Sequence, residues 1–152
     1  MTGAWREKSV DWGYGVIHGY NWYKALVRGE DIENVTIQGP GAIDGNNVFN
    51  PDGEERMRGP HGMSIDNCRN LSIRNLAIKN GSNWNLRLDN CRGVNVDGYT
   101  ATGGWDGINL TKVTDITISN CRLYAGDDAV AGSAKNMTMT NCLLSSGANG
   151  FR

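Results

Sequence analysis

"RNLSIRN", residues 69–75, is followed one phrase later by "RGVNVDG", residues 92–98, and the two are versions of one pattern. Each alternates apolar and polar residues over a few positions, as a short strand with one buried face does. The pattern also stands at 33–39 ("ENVTIQG"), 114–120 ("TDITISN") and 135–141 ("KNMTMTN"). Aligned on the first apolar residue, Val35, Leu71, Val94, Ile116 and Met137 form a column with spacings of 36, 23, 22 and 21. A period near 22 built on short strands is a solenoid signature, in which a repeat buries its apolar face only against its neighbours. Leucine is too sparse at strand positions for a leucine-rich repeat, and nothing reads as a helical half-repeat. The fold predicted is all-β, a parallel β-helix with coils of about 22 residues.

The spacing of 36 is one coil plus an insertion. Residues 39–61, "GPGAIDGNNVFNPDGEERMRGPH", are rich in turn formers and read as a loop between coils. An aromatic-rich segment, 1–24, leads into "KALVRG", which reads as an earlier coil. Its Trp12, Tyr14, Tyr20, Trp22 and Tyr23 suit a cover for the helix end better than a set of sugar platforms. Residues 1–152 are expected to form a single partial β-helix domain, incomplete at the C-terminal end because "GFR" stops one strand into a coil.

The 21 glycines and 18 asparagines fit strands and turns rather than helices. With 15 basic and 16 acidic residues the net charge is −1, so the basic footprint of a nucleic-acid binder is missing. No apolar run approaches the roughly 20 residues of a membrane span. Neither nucleic acid nor membrane is expected as a partner, and the full-length protein is expected to be a monomer.

Cys68, Cys91, Cys121 and Cys142 each follow an asparagine and lack the paired spacing of a zinc site. Cys68 stacks over Cys91 and Cys121 over Cys142, close enough for a disulfide, though reduced core thiols fit tight turns better. Asn34, Asn70, Asp115 and Asn136 precede the apolar anchor, and Asn75, Asn120 and Asn141 lie four after it. These columns read as amide ladders between coils. The glycosylation sequons at Asn34, Asn70, Asn109 and Asn136 mostly fall out of the same repeat.

A second column runs through "SNWNLRL", "GWDGINL", "GDDAVAG" and "GANGFR", anchored on Leu86, Ile108, Val130 and Phe151 with spacings of 22, 22 and 21. Trp84, Asp106, Asp128 and Asn149 stand two before the anchors, and Asn83, Trp105, Asp127 and Ala148 three before. Asp106, Asp127 and Asp128 are therefore expected within one or two strand spacings of each other. An aspartate in a glycine-flanked turn is usually only a turn cap. Three aligned carboxylates repel and raise at least one pKa, which points to function. Such a cluster suits glycoside hydrolysis, with one carboxyl donating a proton and another activating water. By strand alternation Arg87, Asn109, Ala131 and Arg152 face outward beside it. Arg87 and Arg152 are placed to meet an acidic sugar, or else are simply solvated.

The run from "GPGAIDGNN" through "CRNLSIRNLAIKNGSNWNLRLDNCRGVNVDGYTATGGWDGINL" to "GDDAVAG" resembles the polygalacturonase-like glycoside hydrolases of family 28, over roughly residues 31–152. That resemblance implies a right-handed parallel β-helix of the pectin-lyase type that cleaves pectin-type polysaccharides with inversion, without cofactor or metal. It implies that Asp127 is the general acid and that Asp106 and Asp128 position and deprotonate the attacking water. Substrate is expected along the groove of these strands, against Asn149, Trp105, Asn109, Arg87 and Arg152. The full-length protein is expected to be secreted or periplasmic. Three positions depart from the family pattern. Gly104 and Trp105 replace Asn-Thr before the first aspartate, Asn149 stands where a histidine is usual, and Asn109 replaces a common acidic residue. The family's Arg-x-Lys motif, which belongs to a later coil, has no counterpart in this sequence. Two other readings are a calcium-dependent β-helix polysaccharide lyase and a non-catalytic β-helix that binds glycans or serves as a structural spike.

Overall fold

A computed structural model describes residues 25–48 and 58–152. Eleven strands follow one another: β1 (Ala25–Glu30), β2 (Glu33–Asp44), β3 (His61–Asp66), β4 (Arg69–Lys79), β5 (Leu86–Asp89), β6 (Arg92–Asp97), β7 (Thr100–Thr102), β8 (Ile108–Ser119), β9 (Arg122–Ala125), β10 (Val130–Thr140) and β11 (Leu143–Ser146). Every strand pairing is parallel, and the described residues contain no helix.

Three parallel stacks wind around one core. The first carries Val27, Met63, Leu86, Ile108 and Val130 in register, with Phe151 bridged to Val130. The second carries Val35, Leu71, Val94, Ile116 and Met137. The third carries Ile43, Ile78, Ala101, Leu123 and Leu144. Both columns expected from the repeat are thus observed, and "KALVRG" supplies β1 of an earlier coil. Residues inside the ring of stacks, such as Ile73, Leu86, Leu88, Val96, Ile108 and Ile118, are fully buried. Each contributes roughly 1.5–3 kcal/mol of apolar burial. This is a parallel β-helix.

The inter-coil insertion is narrower than residues 39–61. Gly41–Asp44 pair with Leu76–Lys79 after a register shift, and His61 already belongs to β3. The Gly-Pro step turns a corner of the coil instead of leaving it, because Ile43 packs against the core. A Cβ on Gly39 would collide with the Asn75 carbonyl oxygen, so only glycine fits that corner. The aromatic residues of 1–24 lie outside the described residues.

The asparagine columns mark corners where the backbone is left-handed. Asn34, Asn70, Asp115 and Asn136 have φ of 57, 55, 58 and 57°. Asparagine tolerates this region because its short polar side chain bonds locally. The ladders are real: Asn70 donates to Asn34 at 2.9 Å, Asn136 to Asp115 at 2.8 Å and Asn141 to Asn120 at 2.7 Å. All four cysteines are free thiols, and Cys68, Cys91 and Cys121 are buried. Burial pushes the Cys91 thiol up to about 11 and the Cys121 thiol up to about 12, so neither is reactive near neutrality.

Candidate active site

The turns that lead into the first stack continue its ladder. Trp105 N donates to Asn83 O at 3.0 Å and Asp127 N to Trp105 O at 2.9 Å. Asn85 N donates to Asp106 O at 2.9 Å, Gly107 N to Asp128 O at 3.0 Å and Ala129 N to Asn149 O at 2.9 Å. Consecutive turns therefore stack at strand spacing. Gly126 permits this approach, since a Cβ there would lie 2.5 Å from Gly104 O. The buried Asn85 ties down the turn that carries Asp106, donating to Gly103 O at 2.7 Å and to Asp106 O at 3.3 Å.

This register brings Asp106, Asp127 and Asp128 together, with one carboxylate oxygen of each within 4.8 Å of the others. Their environments differ. Asp106 is 3 % exposed, its Oδ2 accepts a 2.7 Å bond from Asn109 Nδ2, and its Oδ1 faces Asp128 N at 3.4 Å. Burial pushes its carboxyl up to about 6; the two hydrogen bonds oppose the rise and the charges of Asp127 and Asp128 add to it. Asp128 is also buried, and its Oδ1 accepts from Asn149 N at 3.1 Å and Asn149 Nδ2 at 2.7 Å. Arg152 Nη1 lies 3.7 Å from its Oδ2. The side chain of Asp127 is the open one, 33 % exposed, with Arg58 Nη2 at 3.9 Å.

Seven of the eight expected site residues assemble here: the three aspartates, Asn149, Asn109, Trp105 and Arg152. Arg87 does not. It lies on the outer face, in register with Ser64 and Asn109, yet it is completely buried. Its guanidinium binds Asp66 at 2.6 Å, Asp89 at 2.7 Å and Ser64 at 2.9 Å. Strand alternation gives the face correctly, but on that face Ser64, Asp66 and Asp89 take up the guanidinium as partners.

Arg58, His61 and Trp84 are not among the expected site residues. Arg58 places its guanidinium 4.0 Å from the centroid of the Trp105 ring. His61, Trp84, Asp106, Asp128 and Asn149 form one column, and the His61 and Trp84 rings stack at 5.0 Å. His61 could have been found by stepping the column back 23 residues from Trp84, the step that separates Leu71 from Val94. Nothing in the sequence points to Arg58. Among the described residues, the aspartate trio is the one group of His, Cys, Asp or Glu side chains close enough together to hold a metal ion. It supplies three of the six to eight oxygens that calcium takes.

Fold and site together define a parallel β-helix with a carboxylate cluster on its flank. The chain belongs to the glycosyl hydrolases of family 28, which it matches over residues 12–149. It is similar to a polygalacturonase of Malus domestica (28% identity over 115 residues, 67% of this chain and 25% of the relative). It is also similar to a polygalacturonase of Persea americana (26% over 132 residues, 78% and 29%). The chain thus spans between a quarter and a third of the length of these relatives. A crystal structure from Parabacteroides merdae shares the fold, with a TM-score of 0.68 at 18% identity over 78% of this chain and 61% of that one.

Proposed function

We propose that the protein hydrolyses glycosidic bonds of a pectin-type polysaccharide, with inversion. The observation that carries this reading is the convergence of three carboxylates in three different environments. Asp127, the exposed one, donates a proton to the leaving oxygen. Asp128, oriented by Asn149, accepts the proton of the attacking water, and Asp106 holds that water from the other side. Proton donation by one carboxyl and proton removal by another is the division of labour that glycoside hydrolysis needs. The trio is tighter than the usual inverting pair, which stands about 6.5–9.5 Å apart. Inversion here rests on a water held by two carboxylates of three, and not on the separation of a pair. Arg152, whose side chain is 68% exposed, and Trp105 are the substrate contacts, while Asn109 and Asn149 act on the carboxylates. The polygalacturonase relatives support a pectin-type substrate. A polymeric substrate of this kind places the full-length protein outside the cytoplasm.

The test is release of reducing ends from polygalacturonate, rhamnogalacturonan and neutral glycans, with chelator present, by the protein and its Asp127→Asn variant. Hydrolysis is expected with at least one polymer, is expected to persist in chelator, and is expected to vanish in the variant. Proton NMR of the first product fixes the anomer. Unsaturated products that require calcium would identify a lyase, and absence of any cleavage by well-folded protein would leave a glycan-binding β-helix.

A further inference from the structure

Among the described residues, the three carboxylates are not equally restrained. Asp106 is fixed by Asn109 and the Asp128 main chain, and Asp128 by two donors of Asn149. The Asp127 side chain makes neither kind of contact. What stands against it is Arg58, at 3.9 Å, a distance for charge attraction and too long for a hydrogen bond. Arg58 comes from the segment just before β3, remote in sequence, and its side chain is only 7% exposed. Its guanidinium carbon lies 4.0 Å from the Trp105 centroid, the geometry of a cation held on an indole face.

We infer that Arg58 is a positioning residue of the site: clamped on Trp105, it holds the Asp127 carboxyl in the orientation from which it reaches the leaving oxygen. This rests on the hydrolase reading for its consequence, though not for its geometry. The planar guanidinium is suited to the clamp because one face can lie on the indole while an edge stays directed at the carboxylate. Trp105 then serves the site through Arg58, on the ring face that Arg58 covers. The role differs from gripping substrate, since the side chain is buried and turned toward an aspartate.

The test compares Arg58→Gln, Arg58→Lys, Trp105→Leu and the Arg58→Gln/Trp105→Leu double variant. Arg58→Gln is expected to lower kcat about tenfold or more with KM within about twofold, the signature of an interaction that matters in the transition state. Arg58→Lys is expected to recover part of the loss, and the double variant to be no worse than the worse single one, because both act through one contact. Wild-type kcat in Arg58→Gln, or losses that multiply in the double variant, would overturn the inference. So would a rise in KM with kcat unchanged, which would make Arg58 a substrate contact. Should Arg58→Gln fail to fold, Arg58→Lys and Trp105→Leu still carry the kcat comparison. A second readout needs no catalysis: the cost of Arg58→Gln in urea unfolding is expected to shrink in an Asp127→Asn background, by the part that the Asp127 contact supplies, while the part from the Trp105 face stays. An inert parent with that coupling intact would remove the hydrolase reading alone, and an active parent without it would remove the Arg58 contact alone.

Discussion

Asn109 donates its side-chain amide to Asp106 Oδ2 at 2.7 Å, and this bond is one of few polar contacts offered to a carboxyl that is 3% exposed. Burial wins over it, because the Asp106 carboxyl stands at about 6 against an ordinary 3.8. A carboxyl raised on folding is stabilised in its protonated form. Its contribution to stability is present in full below the unfolded value and is lost as pH rises through the folded one. A rise from 3.8 to about 6 corresponds to about 3 kcal/mol between the two protonation states. The protein is therefore expected to lose roughly 2–3 kcal/mol from this group between about pH 4 and pH 7.

Asp106→Asn, which keeps the shape and removes the charge, is expected to flatten that dependence and to raise Tm at pH 8, with activity lost. Thermal unfolding of both proteins across pH checks it. Parallel curves would mean that Asp106 titrates normally.

Arg87 supports the fold rather than the substrate. It is fully buried between Asp66 and Asp89, and burial raises the Asp89 carboxyl while Arg87 lowers it. Removing the guanidinium strands two carboxylates without their hydrogen-bonded partner and leaves Asp89 only the more distant charge of Lys112, which costs about 3–5 kcal/mol for a buried pair. Arg87→Met is expected to lower the unfolding free energy in urea by that measure while leaving KM of the folded fraction unchanged. Adding Asp66→Asn and Asp89→Asn is expected to restore most of the loss. A raised KM at unchanged stability would return Arg87 to the substrate.

These residues show what sequence spacing can and cannot carry. A column is legible because equal steps along a solenoid become equal positions in space, so Asp106, Asp127, Asp128 and Asn149 can be placed together from their spacing alone. The same logic places Asn34 over Asn70, where the driving cause is the left-handed corner at each coil. Burial across an outer face is not periodic information. Arg87 looks exposed by alternation and is enclosed because Ser64, Asp66 and Asp89 surround its guanidinium. Arg58 belongs to an insertion with no repeat register, so its meeting with Trp105 and Asp127 is visible only in three dimensions.

Asn149 gives Asp128 both of its hydrogen-bond donors among the described residues. Its side-chain amide donates to Asp128 Oδ1 at 2.7 Å, beside its own main-chain N–H at 3.1 Å. A hydrogen bond to a charged group is worth about 1.5–3 kcal/mol. Asn149→Ala keeps the main-chain donor, so kcat is expected to fall about tenfold to a hundredfold. Asn149→Asp is expected to fall further, because a third carboxylate, beside those of Asp106 and Asp127, would face Asp128. Steady-state kinetics of the two variants, compared at one pH, decides whether the amide orients the base. Equal activity in all three proteins would separate Asn149 from the chemistry.

Lys112 breaks a corner column of the helix. Asp31, Asn67, Asn90 and Lys112 follow one another at the corner after the first stack, with φ of 55, 52, 50 and 52°. Asn90 donates to Asn67 at 3.2 Å, and Lys112 has no side-chain amide to extend that ladder. Among the described residues, Lys112 is the one left-handed position that is neither Asn, Asp nor Gly. Left-handed backbone costs an ordinary L-residue about 1–2 kcal/mol, and asparagine less. Lys112→Asn relieves that strain and offers Asn90 a partner in the next coil. The variant is expected to gain about 1 kcal/mol in urea unfolding, less whatever attraction Lys112 gives Asp89, with activity unchanged, because Lys112 makes no hydrogen bond or ion pair with Asp106, Asp127 or Asp128. Lys112→Gly separates the two causes: it relieves the backbone but cannot extend the ladder, so it is expected to gain less than Lys112→Asn. A loss in both variants would mean that the lysine side chain contributes more to this corner than its backbone costs.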